Sequence, residues 1–403
     1  MRFGKISNAL MLLAAAPVLG LALPAPAHAN FAKCVEGFWP SAKAAGISRA
    51  TFDRAFAGMT PDPEVIESAK YQPEYVRPIG EYVDRVVSAK RIELGRQKLV
   101  ELKPLLDQIE TRYGVDRHIV VAIWGVESNF GAQAGEKNVI RSLATLVCSG
   151  TKAKFARSQM NAALKILQRG DVSHEAMNGS WAGAMGHTQF IPTTYSAYAV
   201  DYDGDGKRDI WGNIPDALAS TASYLKVSKW RPGETWGYEV KLPKGFNPKG
   251  ISEKNLKTLG QWQSMGVVRI NGQPFPRAGD KAGLFAPEGA KGPAFLVLNN
   301  FRSLLRYNQA NSYALSVGHL GDRLAGYGPF VTPWPTDEKH LSLEQRMELQ
   351  QRLAARGLLE GEPDGIIGPA TLEAVRVFQR ERGLQVDGFP SFTILELLRK
   401  ETS

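Results

Sequence analysis

The sequence predicts a mainly helical α+β protein with a large helical body, a small β-rich lobe and a C-terminal unit of three helices. Apolar residues recur three and four positions apart from Phe31 to about Lys229, which is the period of an amphipathic helix. Between Arg231 and Pro293 the pattern changes to short β-type runs separated by Gly and Pro. Helical periodicity returns in Phe295 to Leu324, and again after a proline-rich segment. These three sequence patterns predict the three parts of the protein.

The composition is that of a globular protein with more than one domain. The chain has 403 residues, of which 43% are hydrophobic and 22% are charged, so it is too apolar to be disordered. The formal net charge is +9, to which Arg2 and Lys5 contribute two charges. Lys and Arg are dispersed along the chain, which argues against a nucleic-acid-binding arm. The basic excess favours polyanionic partners, and outside the cytoplasm the abundant ones are cell-wall polymers and lipid head groups.

The chain begins with the parts of an export signal, which are basic residues, an apolar run from about Ala9 to Leu23, and small residues up to Ala29. A membrane-anchoring helix is the weaker alternative, because the apolar run is short and Pro17 interrupts it. We expect residues 1–29 to be removed, which predicts a soluble periplasmic protein. No later segment is long and apolar enough to span a bilayer.

Cys34 and Cys148 are the two cysteines of the chain. In an oxidising compartment such a pair predicts a disulfide that ties the N-terminal segment to the helical body. Two buried free thiols are the alternative. A lipid anchor on Cys34 is disfavoured, because Lys33 occupies the preceding position, where lipoprotein processing requires a small residue.

The elements after the helical body divide the rest of the chain. Within the lobe, Trp236 to Leu242 and Val267 to Ile270 are predicted strands. The segment Gly326 to Pro335 is rich in Gly and Pro, which is typical of an interdomain linker. The expected division is residues 30–328 for the body, with its lobe at about 231–293, then 329–340 for the linker and 341–400 for the C-terminal domain.

The C-terminal domain is predicted to contain three helices. They span Leu343 to Arg356, Thr371 to Arg382 and Ser391 to Arg399, and each has apolar residues at helical spacing. About sixty residues form a marginal core, which fits a compact three-helix unit.

Glu127 is the candidate catalytic residue. Asp116 is a good N-cap, and the helix that it opens carries an apolar stripe on which Glu127 falls. Apolar surroundings make ionisation costly, so we expect a raised pKa for Glu127 and a proton available for general acid catalysis. A glutamate at the fraying end of a helix, directed to water, is the alternative.

Four segments carry a resemblance to a known family. They are AIWGVESNFG (Ala122 to Gly131), GSWAGAMGHTQFIPTTY (Gly179 to Tyr195), DYDGDGKRDIWG (Asp201 to Gly212) and RYNQANSYA (Arg306 to Ala314). In this order they resemble the motifs of the lytic murein transglycosylase B family, and the resemblance covers about Phe31 to Tyr327.

The resemblance implies a lysozyme-like helical core and cleavage of the β-1,4 bond between N-acetylmuramic acid (MurNAc) and N-acetylglucosamine (GlcNAc). Glu127 would protonate the bridging oxygen, then take the proton of the muramoyl 6-hydroxyl as a 1,6-anhydro ring closes. This chemistry differs from hydrolysis by paired carboxylates, since one glutamate suffices. An ordinary hydrolytic muramidase and a non-catalytic wall-binding scaffold remain the alternatives.

The resemblance also implies the residues that surround the substrate. Hydroxyl, amide and aromatic side chains suit sugar rings, acetamido groups and hydroxyls. The implied set is Ser180, Gln189, Phe190, Tyr224, Tyr307, Asn308 and Tyr313, with Tyr82 added on its spacing before Glu127. Where the family has paired basic residues, this chain has Lys152 and Lys154, which lack the bidentate guanidinium fork.

The segment from Asp201 to Gly206 fits the start of an EF-hand-type calcium loop, because its carboxylates alternate. The closing position is Gly212 instead of Glu, and the resemblance implies that a later acid, Asp216, completes the shell. The predicted ligand set is Asp201, Asp203, Asp205, Lys207 and Asp216. A solvated acidic turn is the alternative. Calcium would be structural, and the chemistry requires no cofactor.

The segment PDGIIGPATLEAVRVFQRERGLQVDG (Pro363 to Gly388) resembles the peptidoglycan-binding domain one family. Such a module raises the local concentration of substrate by tethering the enzyme to the wall. The expected partner is the peptidoglycan glycan strand, and complexes of cell-wall synthesis or division are further candidates.

Overall fold

The computed structural model describes residues 25–69, 78–246, 252–289, 292–335, 341–384, 386 and 388–401. Most of the expected signal, residues 1–24, lies outside the described residues, as does the end of the expected linker, residues 336–340. Among the residues described, no helix combines the length and the apolar character that crossing a bilayer requires.

The body is helical, as predicted. Its helices are α1 (Ala25–Glu36), α2 (Trp39–Ala44), α3 (Arg49–Phe56), α4 (Pro63–Ser68), α5 (Ile79–Val86), α6 (Ala89–Glu101), α7 (Lys103–Tyr113), α8 (Arg117–Ser128), α9 (Val139–Ser149), α10 (Ala153–Arg169), α11 (Pro192–Tyr198) and α12 (Ile214–Val227). Side-chain caps fix several of the starts, since Ser48, Asn138 and Asn213 each accept a backbone N–H of the first turn. Two short strands, β1 (Lys137–Asn138) and β2 (Asn178–Gly179), pair antiparallel between the helices.

Two apolar cores lie side by side in the body. One surrounds α8, whose residues from Val120 to Ile123 are fully buried, and the other surrounds α9 and α10. Tyr224 and Tyr307 are partly buried and pack against both cores. These two predicted site tyrosines therefore lie at the seam between the cores.

The predicted disulfide is confirmed. Cys34 of α1 and Cys148 of α9 are bonded, with their Cα atoms 5.9 Å apart. The bond closes a separation of 114 residues and attaches the N-terminal helix to the second core.

The lobe is a five-stranded antiparallel sheet. Its strands are β3 (Gly237–Lys241), β4 (Ser252–Thr258), β5 (Val268–Arg269), β6 (Lys281–Phe285) and β7 (Ala294–Val297), and they lie in the order β4-β6-β7-β3-β5. A short helix, α13 (Leu259–Ser264), places the fully buried Trp262 in the lobe core.

The expectation of helix from Phe295 was wrong for the first residues of that segment. Ala294–Val297 is a strand that pairs with both β3 and β6, and all four of its residues are buried. A short apolar run that is buried on both faces carries no period of two, so its pattern resembles that of a buried helix. The helices that follow are α14 (Asn299–Tyr307) and α15 (Asn311–Leu324).

The C-terminal domain has the three predicted helices, α16 (Leu343–Ala355), α17 (Pro369–Glu381) and α18 (Phe392–Glu401). A capping box formed by Ser342 and Gln345 starts α16. Leu349, Val375 and Leu395 are fully buried in its small core.

The described part of the expected linker is packed onto the body. The Phe330 ring stacks on His319 with centroids 3.7 Å apart, and it also contacts Phe295. Glu239 of β3 accepts the backbone N–H groups of Val331 and Thr332. The chain therefore approaches the C-terminal domain along a defined path.

Candidate active site

Helix α8 carries Glu127 in its last turn. The Asp116 side chain accepts the backbone N–H of His118 at 2.7 Å, which is the predicted N-cap, and the helix ends where Asn129 adopts φ 49°. Residues 119–125 of this helix are buried, whereas Glu127 is partly exposed. The carboxyl group therefore emerges from a buried apolar helix at the helix end.

Tyr313 of α15 holds the Glu127 carboxylate. Its hydroxyl donates a hydrogen bond to Oε1 of Glu127 at 2.5 Å, although the two residues are 186 positions apart. Burial raises the pKa of Tyr313 well above its usual range, and the charges of Glu127, Tyr307 and Tyr82 raise it further. The phenol thus remains a proton donor at neutral pH, and Tyr82 lies within electrostatic range of it.

A cluster of aromatic rings extends from Tyr313 along the seam between the cores. Tyr307 stacks on Tyr313 with centroids 6.3 Å apart, and its hydroxyl donates to the Thr188 carbonyl at 2.7 Å. Tyr224 meets Tyr307 edge-on at 5.0 Å. The Phe190 ring contacts both Tyr224 and Tyr307 but is only 2% exposed. Phe190 thus belongs to the aromatic cluster, and its role in lining the site stays a prediction.

The side chains of Ser180 and Gln189 stabilise the loop that faces this cluster. The Ser180 hydroxyl accepts the backbone N–H groups of Ala182 and Ala184. Gln189 adopts φ 51°, and its amide nitrogen donates to the carbonyls of Ala134 and Gly186. Both residues thus fix the backbone between β2 and α11.

Asn308 ends helix α14, and its side-chain oxygen accepts the Ala310 N–H at 3.0 Å. This bond shapes the short connection that leads from Tyr307 to Tyr313. The two tyrosines are consequently presented from adjacent helices on one side of Glu127.

His187 is a residue of the site region that the sequence reasoning missed. Trp124, one turn before Glu127, donates its indole N–H to Nδ1 of His187 at 2.8 Å, and the Ser128 hydroxyl donates to the His187 carbonyl at 2.8 Å. Burial lowers the pKa of His187, in keeping with a neutral ring that accepts from the indole. The sequence signal that could have identified His187 is the presence of a histidine within the Gly-rich stretch after β2.

Trp181 was also missed. It follows Ser180 directly, and the Lys152 ammonium lies 5.4 Å from the centre of its ring. Lys152 itself adopts φ 51° before α10, and both Lys152 and Lys154 are exposed. The Lys152 ammonium therefore lies within cation–π distance of the Trp181 ring.

The acidic loop brings three of its predicted ligands together. Carboxylate oxygens of Asp201, Asp203 and Asp205 lie within 4.8 Å of one another. The loop is closed by its own hydrogen bonds, since Asp201 accepts the N–H groups of Gly204 and Gly206. Carboxylate oxygens on such a turn are the donor type that calcium requires.

The other two predicted ligands are placed differently. The Asp216 carboxylate is fully buried and accepts the N–H groups of Tyr202 and Asp209, and it does not belong to the group of three. Burial raises the pKa of Asp216. Lys207 donates its backbone N–H to Asp205. Asp216 and Lys207 therefore stay predicted ligands.

The chain is similar to several known proteins. It is 51% identical to SltB3 from Pseudomonas aeruginosa, solved in complex with NAG-anhNAM-pentapeptide, with a TM-score of 0.87 over 92% of this chain and 99% of that one. It is 28% identical to the soluble lytic transglycosylase SltB1 from the same organism, with a TM-score of 0.63 over 73% of this chain and 98% of that one.

A curated relative is membrane-bound lytic murein transglycosylase B of Escherichia coli. It is 34% identical over 221 residues, which cover 53% of this chain. The chain spans 58% of the length of that relative.

Two family matches divide the chain. Residues 342–398 match a peptidoglycan binding domain, in agreement with the resemblance of the C-terminal helices. Residues 30–322 match the family described as Transglycosylase SLT domain. Because this second match covers well over half of the chain, the protein belongs to the transglycosylase SLT domain family.

Proposed function

We propose that this protein is a lytic transglycosylase that cleaves the MurNAc-GlcNAc β-1,4 bond of peptidoglycan and leaves 1,6-anhydro-MurNAc ends. The observation that carries the proposal is the Glu127 carboxyl group at the end of a buried helix, hydrogen-bonded to Tyr313 and beside a row of tyrosines. The family match over residues 30–322 and the anhydro-sugar complex of SltB3 support the same reaction.

In the proposed reaction Glu127 acts twice. Its proton passes to the bridging oxygen while the bond from that oxygen to the anomeric carbon breaks, which releases the GlcNAc 4-hydroxyl. The resulting carboxylate then takes the proton of the muramoyl 6-hydroxyl, whose oxygen bonds to the anomeric carbon. Glu127 ends protonated, as it began, and no water is consumed.

Tyr313 would assist the second half of this cycle. Its buried O–H donates to the carboxylate oxygen and so stabilises the ionised form after the first proton transfer. Tyr307 and Tyr224 would offer apolar faces to the sugar rings.

The mass of the released products tests the reaction. Digestion of purified sacculi by the wild-type protein should yield muropeptides lighter by one water per cut than the products of a hydrolase. The measurement is mass spectrometry of the soluble fraction. Reducing MurNAc ends would favour the hydrolytic muramidase, and release of no product would favour the non-catalytic wall-binding scaffold.

The proposal includes export and two working units. Residues 1–29 would direct the chain to the periplasm and be removed. Residues 30–328 would carry the reaction, with the lobe as part of this unit, and residues 341–400 would tether the enzyme to the wall through the linker at 329–340. Recruitment to complexes of cell-wall synthesis or division remains part of this hypothesis.

We also propose a structural calcium ion in the acidic loop, held by Asp201, Asp203 and Asp205 with Lys207 and Asp216 as the further ligands. Three carboxylates within 4.8 Å of one another repel each other, so a cation should stabilise the loop. Removing calcium with a chelator should lower the melting temperature by about 5 °C.

Differential scanning calorimetry with and without chelator measures this effect. Asp203→Asn should abolish the response to calcium, whereas Asp53→Asn, which removes an exposed acid from α3, should retain it. An unchanged melting temperature after chelation and calcium addition would contradict the calcium site.

A further inference from the structure

Helix α8 ends in a strained turn directly after Glu127 and Ser128. Asn129 and Phe130 adopt φ angles of 49° and 58°, and Gly131 follows with φ 89°. Residues with a Cβ rarely adopt this left-handed region, and they persist there only where the surrounding structure determines their conformation. The backbone next to Glu127 therefore depends on contacts from elsewhere in the chain.

His187 supplies contacts on both sides of this turn. Its Nδ1 accepts the indole N–H of Trp124, one helical turn before Glu127, at 2.8 Å, and its carbonyl accepts the Ser128 hydroxyl at 2.8 Å. A Cβ at Gly131 would come within 2.2 Å of the His187 ring, so this ring lies directly against the backbone that leaves the turn. His187 thus holds α8 both before and after Glu127.

His187 is itself held by the segment that follows the acidic loop. Its backbone N–H donates to the Ile210 carbonyl at 2.9 Å. Burial lowers the pKa of His187, and a hydrogen bond between the ring and the Trp211 backbone opposes that shift. Asp209 accepts the backbone N–H groups of Trp211 and Gly212 at 2.8 Å each, which fixes this support. The imidazole is therefore braced by a second segment as well as by α8.

The short helix that carries His187 also anchors the tyrosines beside Glu127. The Thr188 carbonyl accepts the Tyr307 hydroxyl at 2.7 Å, and the Tyr307 ring stacks on Tyr313. Tyr313 donates to the Glu127 carboxylate. One short element therefore fixes both the helix that carries the carboxyl group and the phenol that binds it.

The contact with Trp124 requires a hydrogen-bond acceptor on the side chain at position 187. An indole N–H can only donate, so the ring nitrogen that meets it must be unprotonated. A neutral imidazole with its proton on Nε2 meets this need. An amide oxygen at the same place would also accept the indole N–H, whereas an apolar side chain of the same shape would not.

We infer that His187 is a positioning residue for the cleavage reaction and that it orients the Glu127 carboxyl group through Trp124 and Ser128. The inference rests on the proposed function and deepens it. A small displacement of a catalytic group can lower the rate of a reaction about a hundredfold. Loss of the acceptor at position 187 should therefore lower kcat and leave KM near its wild-type value.

His187→Leu and His187→Asn form a matched pair, because the two new side chains have the same shape and only asparagine supplies an acceptor. The full-length variants are assayed for kcat and KM on soluble glycan strands, with cleavage followed by mass spectrometry. His187→Leu should lower kcat about thirtyfold and leave KM within about twofold of the wild type. His187→Asn should restore kcat to within about fivefold of the wild type.

Trp124→Phe tests whether this rescue acts through the indole N–H. The donor is absent in the Trp124→Phe background, so His187→Asn and His187→Leu should have the same kcat there. His319→Leu is the control for the loss of a buried histidine, because His319 stacks on Phe330 of the linker segment. This control should unfold at a lower temperature than the wild type, with an unchanged kcat.

Equal kcat values for His187→Asn and His187→Leu in the presence of Trp124 overturn the inference, and so does a change confined to KM. If both His187 variants fail to fold, Trp124→Phe alone decides. A lower kcat at unchanged KM in that variant supports the inference, and a wild-type kcat overturns it. A wild-type protein that cleaves no glycan overturns the proposed reaction itself, so the two failures are distinguishable.

Discussion

Glu127→Gln should reduce the release of anhydro-muropeptides about 10³-fold while leaving the protein folded. The amide neither gives up a proton to the bridging oxygen nor takes one from the 6-hydroxyl, so both halves of the proposed cycle fail. The substitution keeps the size of the side chain, and its carbonyl oxygen still accepts the Tyr313 hydroxyl in place of Oε1. Activity on sacculi is measured by mass spectrometry of released products, and folding by thermal unfolding.

Glu136→Gln is the control for the loss of one negative charge from the same part of the sequence. Glu136 is exposed on the loop that follows α8, nine positions after Glu127. This variant should retain wild-type activity. If Glu127→Gln kept more than a tenth of the activity, another group would carry the chemistry. If the variant lost both its activity and its cooperative unfolding transition, Glu127 would be needed for the fold instead.

The features that depend on near neighbours in the sequence were predictable. Asp116 begins α8 as expected, because an N-cap needs only a side chain two or three residues from the N–H that it accepts. The three C-terminal helices were predicted within a few residues, because their apolar spacing is regular. The resemblance then supplied the family, which the match over residues 30–322 confirms.

The features that depend on distant contacts were not predictable from pattern alone. The bond between Tyr313 and Glu127 spans 186 positions, and the bond between Trp124 and His187 spans 63. The resemblance implied Phe190 as a site residue, but its contacts with Tyr224 and Tyr307 and its 2% exposure could not be read from the motif. Side-chain direction at a helix seam is set by packing, which residue spacing does not encode.

A cavity where the body, the lobe and the C-terminal domain meet is the extreme case. Its wall combines Phe285 of the lobe, Asn311 of the body and Ile367 of the C-terminal domain, so no single motif describes it. The linker composition predicted a spacer, but the packing of Phe330 and Trp334 makes this segment part of the body. Only the assembled structure brings these walls together.

Tyr313→Phe should lower kcat/KM on peptidoglycan about tenfold to a hundredfold, because a hydrogen bond from a buried phenol to a carboxylate is lost. The ring remains, so its stacking on Tyr307 is retained. The pH profile should change as well. The O–H donor favours the ionised carboxylate, so its removal favours the protonated form of Glu127. Since the proposed first step needs the protonated acid, the alkaline limb of the kcat/KM profile should move to higher pH.

Tyr195→Phe distinguishes this effect from a general loss of packing. Tyr195 is also a fully buried tyrosine, and its hydroxyl donates to the Arg208 carbonyl, outside the contacts of Glu127. Both variants lose one buried hydrogen bond, so both should unfold at lower temperature than the wild type. Only Tyr313→Phe should shift the alkaline limb. An unshifted limb in Tyr313→Phe, or an equal shift in Tyr195→Phe, would mean that the phenol stabilises the fold without acting on the Glu127 carboxylate.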